Sequence, residues 1–137
     1  MKEKILTLLR EMTNDSKFAS FIAEKELCSI LTGVINKLRE IEEKVGWSVR
    51  DYPDNIDSID DEYGWCNKLP NEIECNDGDF FFKTEWLDIN LQEYFEELKK
   101  NKINSIKKYI TQTEHSLNKY KEDLGHFEEL KFEDLEI

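Results

Sequence analysis

Asp51, Asp54, Asp57 and Asp60 recur every third residue in the stretch DYPDNIDSIDDEYGW (51–65), and Asp61 and Glu62 extend the run. Carboxylates this close together can hold a divalent cation, activate water beside a metal, or accept charge-assisted hydrogen bonds from the Arg and Lys side chains of a partner. A calcium loop needs alternating oxygen ligands, a central glycine and a closing carboxylate, and neither Asp54 nor Asp57 begins such a series. Metal-dependent nuclease chemistry needs acids on adjacent strands followed by an acid-x-Lys step. The available steps are Glu97-Leu98-Lys99, inside a helical pattern, and Glu129-Leu130-Lys131, near the tail. A nuclease must also hold a polyanion, and the acidic region lacks the basic groups for that.

Nucleophilic catalysis has equally little to draw on. His115 and His126 are the only histidines, and no Cys or Ser motif accompanies either. Cys28, Cys66 and Cys75 form no C-x-x-C pair, so they encode neither a zinc knuckle nor a full disulfide framework. Cys28 is expected in the core, and Cys66 and Cys75 in or beside a hairpin. The five glycines are scattered and build no phosphate-binding loop. The expectation is a chain that is not an enzyme and takes no metal or cofactor, leaving the acids for binding.

The net charge of −12 is unevenly spread. Residues 1–50 balance at +1 and residues 80–121 at +2, whereas residues 51–79 reach −9, with Lys68 the only base, and residues 122–137 reach −6. Segregation of this kind sets up a directional field that draws cationic partners and repels nucleic acid and anionic membrane. Neither direct nucleic-acid binding nor membrane binding is expected. The longest apolar runs, ILTLL and FFF, fall far short of a membrane span, and the N-terminus MKEKILTLLREM mixes charges among its apolar residues. With no disulfide framework, the expected compartment is the cytoplasm.

The elements that position these acids follow from periodicity. One domain, 1–137, is expected, with a helical part (1–46), an acidic segment and hairpin (47–87), a helical part (91–124) and an acidic tail (125–137). Ile5, Leu8 and Leu9 give the first helix an apolar side, and TNDS (13–16) breaks it and caps the next. Leu27, Leu31, Val34, Leu38, Ile41 and Val45 step by alternate fours and threes, with Glu40, Glu42 and Glu43 among the solvent positions, and Gly46 ends the run. Asn90 and Glu93 form a capping box for a helix from about Leu91, with Ile89 placed to staple onto Tyr94. A second stripe runs Ile103, Ile106, Ile110, Thr113, Leu117, Tyr120, Leu124, with Gly125 as its stop. The step of five from Leu98 to Ile103 predicts a bend or break there.

Asp77-Gly78 predicts a hairpin turn between strands near 72–75 and 79–86, with Phe80, Phe82, Thr84 and Trp86 on one face. Leu130 and Phe132, at strand spacing, leave a third strand open. The fold class is therefore α+β and mainly helical: long helices packed together with a small antiparallel β-hairpin or three-stranded sheet. Each helical stripe lasts about three heptads, which suits the interior of an intramolecular hairpin and is the minimum for a coiled-coil seam. The hairpin interior is the expected arrangement, in a monomer or homodimer. Within 51–65, Pro53 suits a first helical position, Gly64 a helix end, and Pro53, Ile56, Ile59 and Tyr63 an inward face. A short helix holding the Asp residues outward is expected.

The function expected from these features is that of a non-enzymatic acidic protein that inhibits a partner. Asp51, Asp54, Asp57, Asp60, Asp61 and Glu62, with Trp65 as an aromatic anchor, would occupy a basic surface of another protein, such as a nuclease or other nucleic-acid-binding protein, by presenting carboxylates where phosphates would lie. In size, acidity and lack of catalytic groups the chain resembles the small acidic inhibitors that phages make against host defence nucleases and the immunity proteins that neutralise bacterial toxins. No motif carries that resemblance, so it assigns no residue a role. The alternative is a structural or adaptor protein that self-associates through its long helices, its acids serving solubility.

Overall fold

The computed structural model describes residues 1–13, 15–60 and 67–134. It is mainly helical α+β, as expected, with helices α1 (Lys2–Glu11), α2 (Lys17–Val45) and α3 (Leu91–Glu129) and strands β1 (Glu72–Cys75) and β2 (Phe80–Lys83). Short 3-10 turns occupy Asn76–Gly78, Thr84–Asp88 and Phe132–Asp134. The chain divides into two units, Met1–Leu98 and Lys99–Ile137.

In the first unit α1 packs on α2, burying Ile5, Leu8 and Leu9, the three residues that its periodicity singles out. Ser16 caps α2 as expected, its Oγ accepting from the Ala19 amide at 3.3 Å, and Gly46 closes the helix at φ 74°. The buried face of α2 is Leu27, Leu31, Ile35, Leu38 and Glu42, so Ile35 and Glu42 stand where Val34 and Ile41 were expected. A straight helix turns once per 3.6 residues, and over four turns a 3.5-residue stripe drifts off the face that the core actually meets. Glu42, read as a solvent position, is consequently buried. Phe18, Phe21 and Ile22, at the start of α2, are exposed.

The sheet has two strands, paired antiparallel with Ile73 opposite Phe82 and Cys75 opposite Phe80. The second strand ends at Lys83 rather than near Trp86. Pro70 has no N–H to extend the ladder, and Thr84 instead donates from its amide to Asn71 O (2.9 Å) and from its Oγ1 to Pro70 O (2.8 Å), turning the chain into the 3-10 segment. The expected inward alternation nonetheless continues, because Phe82, Thr84 and Trp86 are all buried. Phe82 meets Trp86 edge-on at 5.0 Å between ring centroids, a favoured aromatic geometry. No third strand forms among the described residues: Phe132–Asp134 is a 3-10 turn, and residues 135–137 lie outside them.

At the hairpin tip the expected Asp77-Gly78 turn is present. Asp77 (φ 55°, ψ 38°) and Gly78 (φ 89°) have the positive φ that a type I′ turn requires at both central positions, and the Asp79 amide donates to Asn76 O at 3.1 Å. A Cβ on Gly78 would stand 2.9 Å from Glu74 Oε1. Gly78→Ala is therefore expected to cost about 1–3 kcal/mol, from the left-handed backbone and the crowding together. Urea denaturation followed by tryptophan fluorescence measures it, and an unchanged midpoint would mean that the turn relaxes freely.

α3 opens as its capping box predicts, with the Glu93 amide donating to Asn90 Oδ1 at 3.1 Å. It runs without a break through residues 99–101 and past Gly125 to Glu129, so neither a break there nor the stop at Gly125 occurs. Lys and Asn keep the backbone bonds whichever face is apolar, and one glycine within a helix costs only about 1 kcal/mol. In the second unit the stripe Ile103, Ile106, Ile110, Leu117, Tyr120 and Leu124 is exposed along its length. The stripe is expected in the interior of a helical hairpin, and no described residue of its own unit covers it.

Candidate functional site

The acidic segment begins where α2 ends, and a buried carboxylate makes the join. Glu42 Oε1 accepts from the Val49 amide at 2.7 Å and the Arg50 amide at 3.3 Å, while Glu42 Oε2 accepts from the Tyr52 hydroxyl at 2.6 Å. The Gly46 and Trp47 amides donate to the Glu42 carbonyl. Bonds from these donors make burial of the charge tolerable, since a buried ion without partners would be too costly to keep. Arg50 lies over the Trp86 ring at 4.9 Å and donates to the hydroxyls of Tyr52 (3.0 Å) and Tyr94 (3.4 Å). Burial, reinforced by the Glu42 bond, pushes the Tyr52 phenol well above its usual range. Nothing in local periodicity marks this cluster; its one signal is a Glu at the last turn of α2 followed by Arg50 and Tyr52.

Beyond Tyr52 the chain is irregular rather than helical through Asp60, with a bend at Asp54 and one bridge at Ile59, correcting the short helix expected there. The physical reason is competition for its backbone. Arg39 donates to Pro53 O, Thr32 Oγ1 accepts from the Ile56 amide at 3.0 Å, and Asn76 Oδ1 accepts from the amides of Asp57 (2.7 Å) and Ser58 (3.4 Å) while Asn76 Nδ2 donates to Asn55 O (3.1 Å). Ile59 then bridges to Cys75, with the Asp60 amide donating to Glu74 O at 3.1 Å. Asp is a poor helix former, and these tertiary partners offer its neighbours better bonds than a short helix could. Ile56 and Ile59 are buried as their spacing suggested, but beneath an irregular rail rather than a helix.

Along that rail Asp51, Asp54 and Asp57 are exposed and Asp60 is half-buried. Asp61, Glu62 and Trp65 lie outside the described residues, as does Cys66. Asn76 ties residues 55–58 of the rail to the hairpin tip, where Asp77 and Asp79 are also exposed, so the stretch carrying Asp57 meets the turn that carries those two acids. The bonds that brace the rail run through its backbone. An exposed row of carboxylates on a braced backbone can accept bonds from cationic side chains without first ordering the chain beneath it, which lowers the entropy cost of binding.

The chemistry available elsewhere is sparse. Cys28 and Cys75 are buried; burial first, with nearby Glu24 and Asp57, raises the Cys28 thiol to about 11, and burial raises that of Cys75 to about 12. Thiols so protonated at neutral pH are poor nucleophiles. His115 and His126 sit exposed on α3. Among the described residues no group of three or more His, Cys, Asp or Glu is placed to hold a metal ion, and no helix is long and apolar enough to cross a membrane. Comparison with known protein families, curated proteins and solved structures finds no match to this chain.

Proposed function

We propose that this chain is a non-enzymatic acidic binding protein of a reducing, cytoplasmic setting, whose rail of Asp51, Asp54 and Asp57, with the acids of the hairpin tip, covers a basic surface on another protein and so inhibits it. A surface that normally grips nucleic acid has the matching chemistry, because its Arg and Lys side chains are arranged for phosphate oxygens. The observation that supports this reading is the bracing: Thr32, Arg39 and Asn76 hold the backbone of the rail while its Asp side chains face solvent. Steering by the local charge of −9 in residues 51–79 speeds the encounter.

The test is the triple change Asp51→Asn, Asp54→Asn and Asp57→Asn, which keeps side-chain size and leaves the backbone bonds in place. Partners captured by the wild-type protein from cells should be lost or reduced, with association slowed about tenfold at low salt and little changed at high salt, where screening already shortens the field. Single changes should do little, since an exposed ion pair is worth about 0–1 kcal/mol. Unchanged affinity and salt dependence in the triple variant would make the rail ordinary solvated surface.

A further inference from the structure

The second unit carries a surface that the acidic rail does not explain. Eight positions of α3, Ile103, Ile106, Ile110, Thr113, Leu117, Tyr120, Leu124 and Phe127, follow alternate steps of three and four, and their apolar members are exposed by between 41% at Ile103 and 70% at Tyr120. A stripe confined to these two heptad positions is narrower than the face that a helix turns to a globular core, and its width matches one partner helix. Its length, three and a half heptads, reaches the minimum for a sustained coiled coil. A helix with so little buried apolar surface along this stretch gains most from a partner.

The flanking charges say which partner. With Ile103, Ile110, Leu117 and Leu124 at position a of the heptad, position e holds Lys107, Glu114, Lys121 and Glu128, and position g holds Lys102, Tyr109, Ser116 and Asp123. In a parallel in-register pair each g residue faces the e residue five further along the other helix. That would set Lys102 against Lys107 and Asp123 against Glu128, like charges in both cases. In an antiparallel pair e faces e, and the alternation of sign along this row lets Lys107 lie opposite Glu128 and Glu114 opposite Lys121 of the second copy. The two-fold axis repeats both pairs, giving four attractive contacts and no repulsive one. The row is complementary to itself, in one direction only.

We infer that α3 pairs with a second copy of this chain as an antiparallel coiled coil, seamed by Ile103 to Phe127 and oriented by Lys107, Glu114, Lys121 and Glu128. This is independent of the acidic rail, which lies in the first unit. Sedimentation of the full chain over a range reaching hundreds of micromolar should show reversible growth to twice the 16.4 kDa chain mass. Leu117→Asp should weaken self-association by at least about tenfold while circular dichroism keeps its helix signal.

Orientation is read by charge exchange. Lys107→Glu with Lys121→Glu makes the e row wholly acidic, and Glu114→Lys with Glu128→Lys makes it wholly basic. Each variant alone should stay monomeric, and mixing the two should restore the dimer. Lys108→Glu with Lys119→Glu makes the same change in net charge off the seam and should leave the wild-type dimer intact. A chain that stays monomeric at every concentration, a dimer indifferent to Leu117→Asp, a mixture that does not re-form, or an off-seam pair that dissociates as readily would each overturn the inference. The first of these would leave the stripe to a helix of some other protein.

Discussion

Phe82→Ala is expected to destabilise the first unit by about 3–5 kcal/mol, the range for deleting a fully buried aromatic ring. Phe82 has no solvent exposure, stands opposite Ile73 in the sheet and abuts Trp86 edge-on, so its loss leaves a cavity between hairpin and helices that neighbours can fill only in part. Out of a total domain stability of about 5–15 kcal/mol, that is a large fraction. The control lies one residue away. Phe81 points to the other face and is 48% exposed, so Phe81→Ala should change stability by less than about 1 kcal/mol. Denaturation followed by tryptophan emission, with Trp86 itself as the nearest reporter, compares the two. A loss below about 1 kcal/mol for Phe82→Ala, or equal losses for both, would mean that the strand alternation is wrong.

Glu42→Ala is expected to cost about 2–5 kcal/mol, because it leaves the Val49 and Arg50 amides and the Tyr52 hydroxyl without their acceptor at the start of the acidic rail. Glu42→Gln keeps one oxygen for the two amides and lets the Tyr52 hydroxyl turn to accept from the new amide group, so it should cost roughly half as much or less. Amide hydrogen exchange gives the more specific readout. Val49 and Arg50 should lose protection in the Ala variant well before the core of α2 does, since local opening of the join then no longer breaks a charge-assisted bond. If the two variants are equally stable, with unchanged exchange at Val49 and Arg50, the clamp is incidental. If the Ala variant also weakens partner capture, bracing of the rail and binding by the rail are coupled.

Periodicity, caps and turn chemistry were enough to read most of the elements along the chain. The Ser16 and Asn90 caps, the Gly46 stop and the Asp77-Gly78 turn act within a few residues of themselves, through bonds that need no distant partner. The inward faces of α1 and the hairpin were legible for a related reason: a fixed side-chain period against one apolar layer leaves a single solution. Three features depended on what lay across the fold. Glu42 is buried because the chain after Gly46 folds back and supplies donors to it, and an isolated sequence window contains no sign of that return.

The acidic rail is not helical because Thr32, Arg39 and Asn76, between 14 and 24 residues away along the chain, take its backbone bonds. Its three-residue spacing, which also fits a helix, could not reveal that. The stripe from Ile103 to Leu124 carries the same pattern whether it faces a core or water, since periodicity records which side chains share a side and not what covers them. Its charge row alone separates one kind of cover from another. Sequence by itself thus determined the local elements and the uneven charge; tertiary structure decided which carboxylates are clamped and which offered, because burial and long-range hydrogen bonds exist only once distant segments meet.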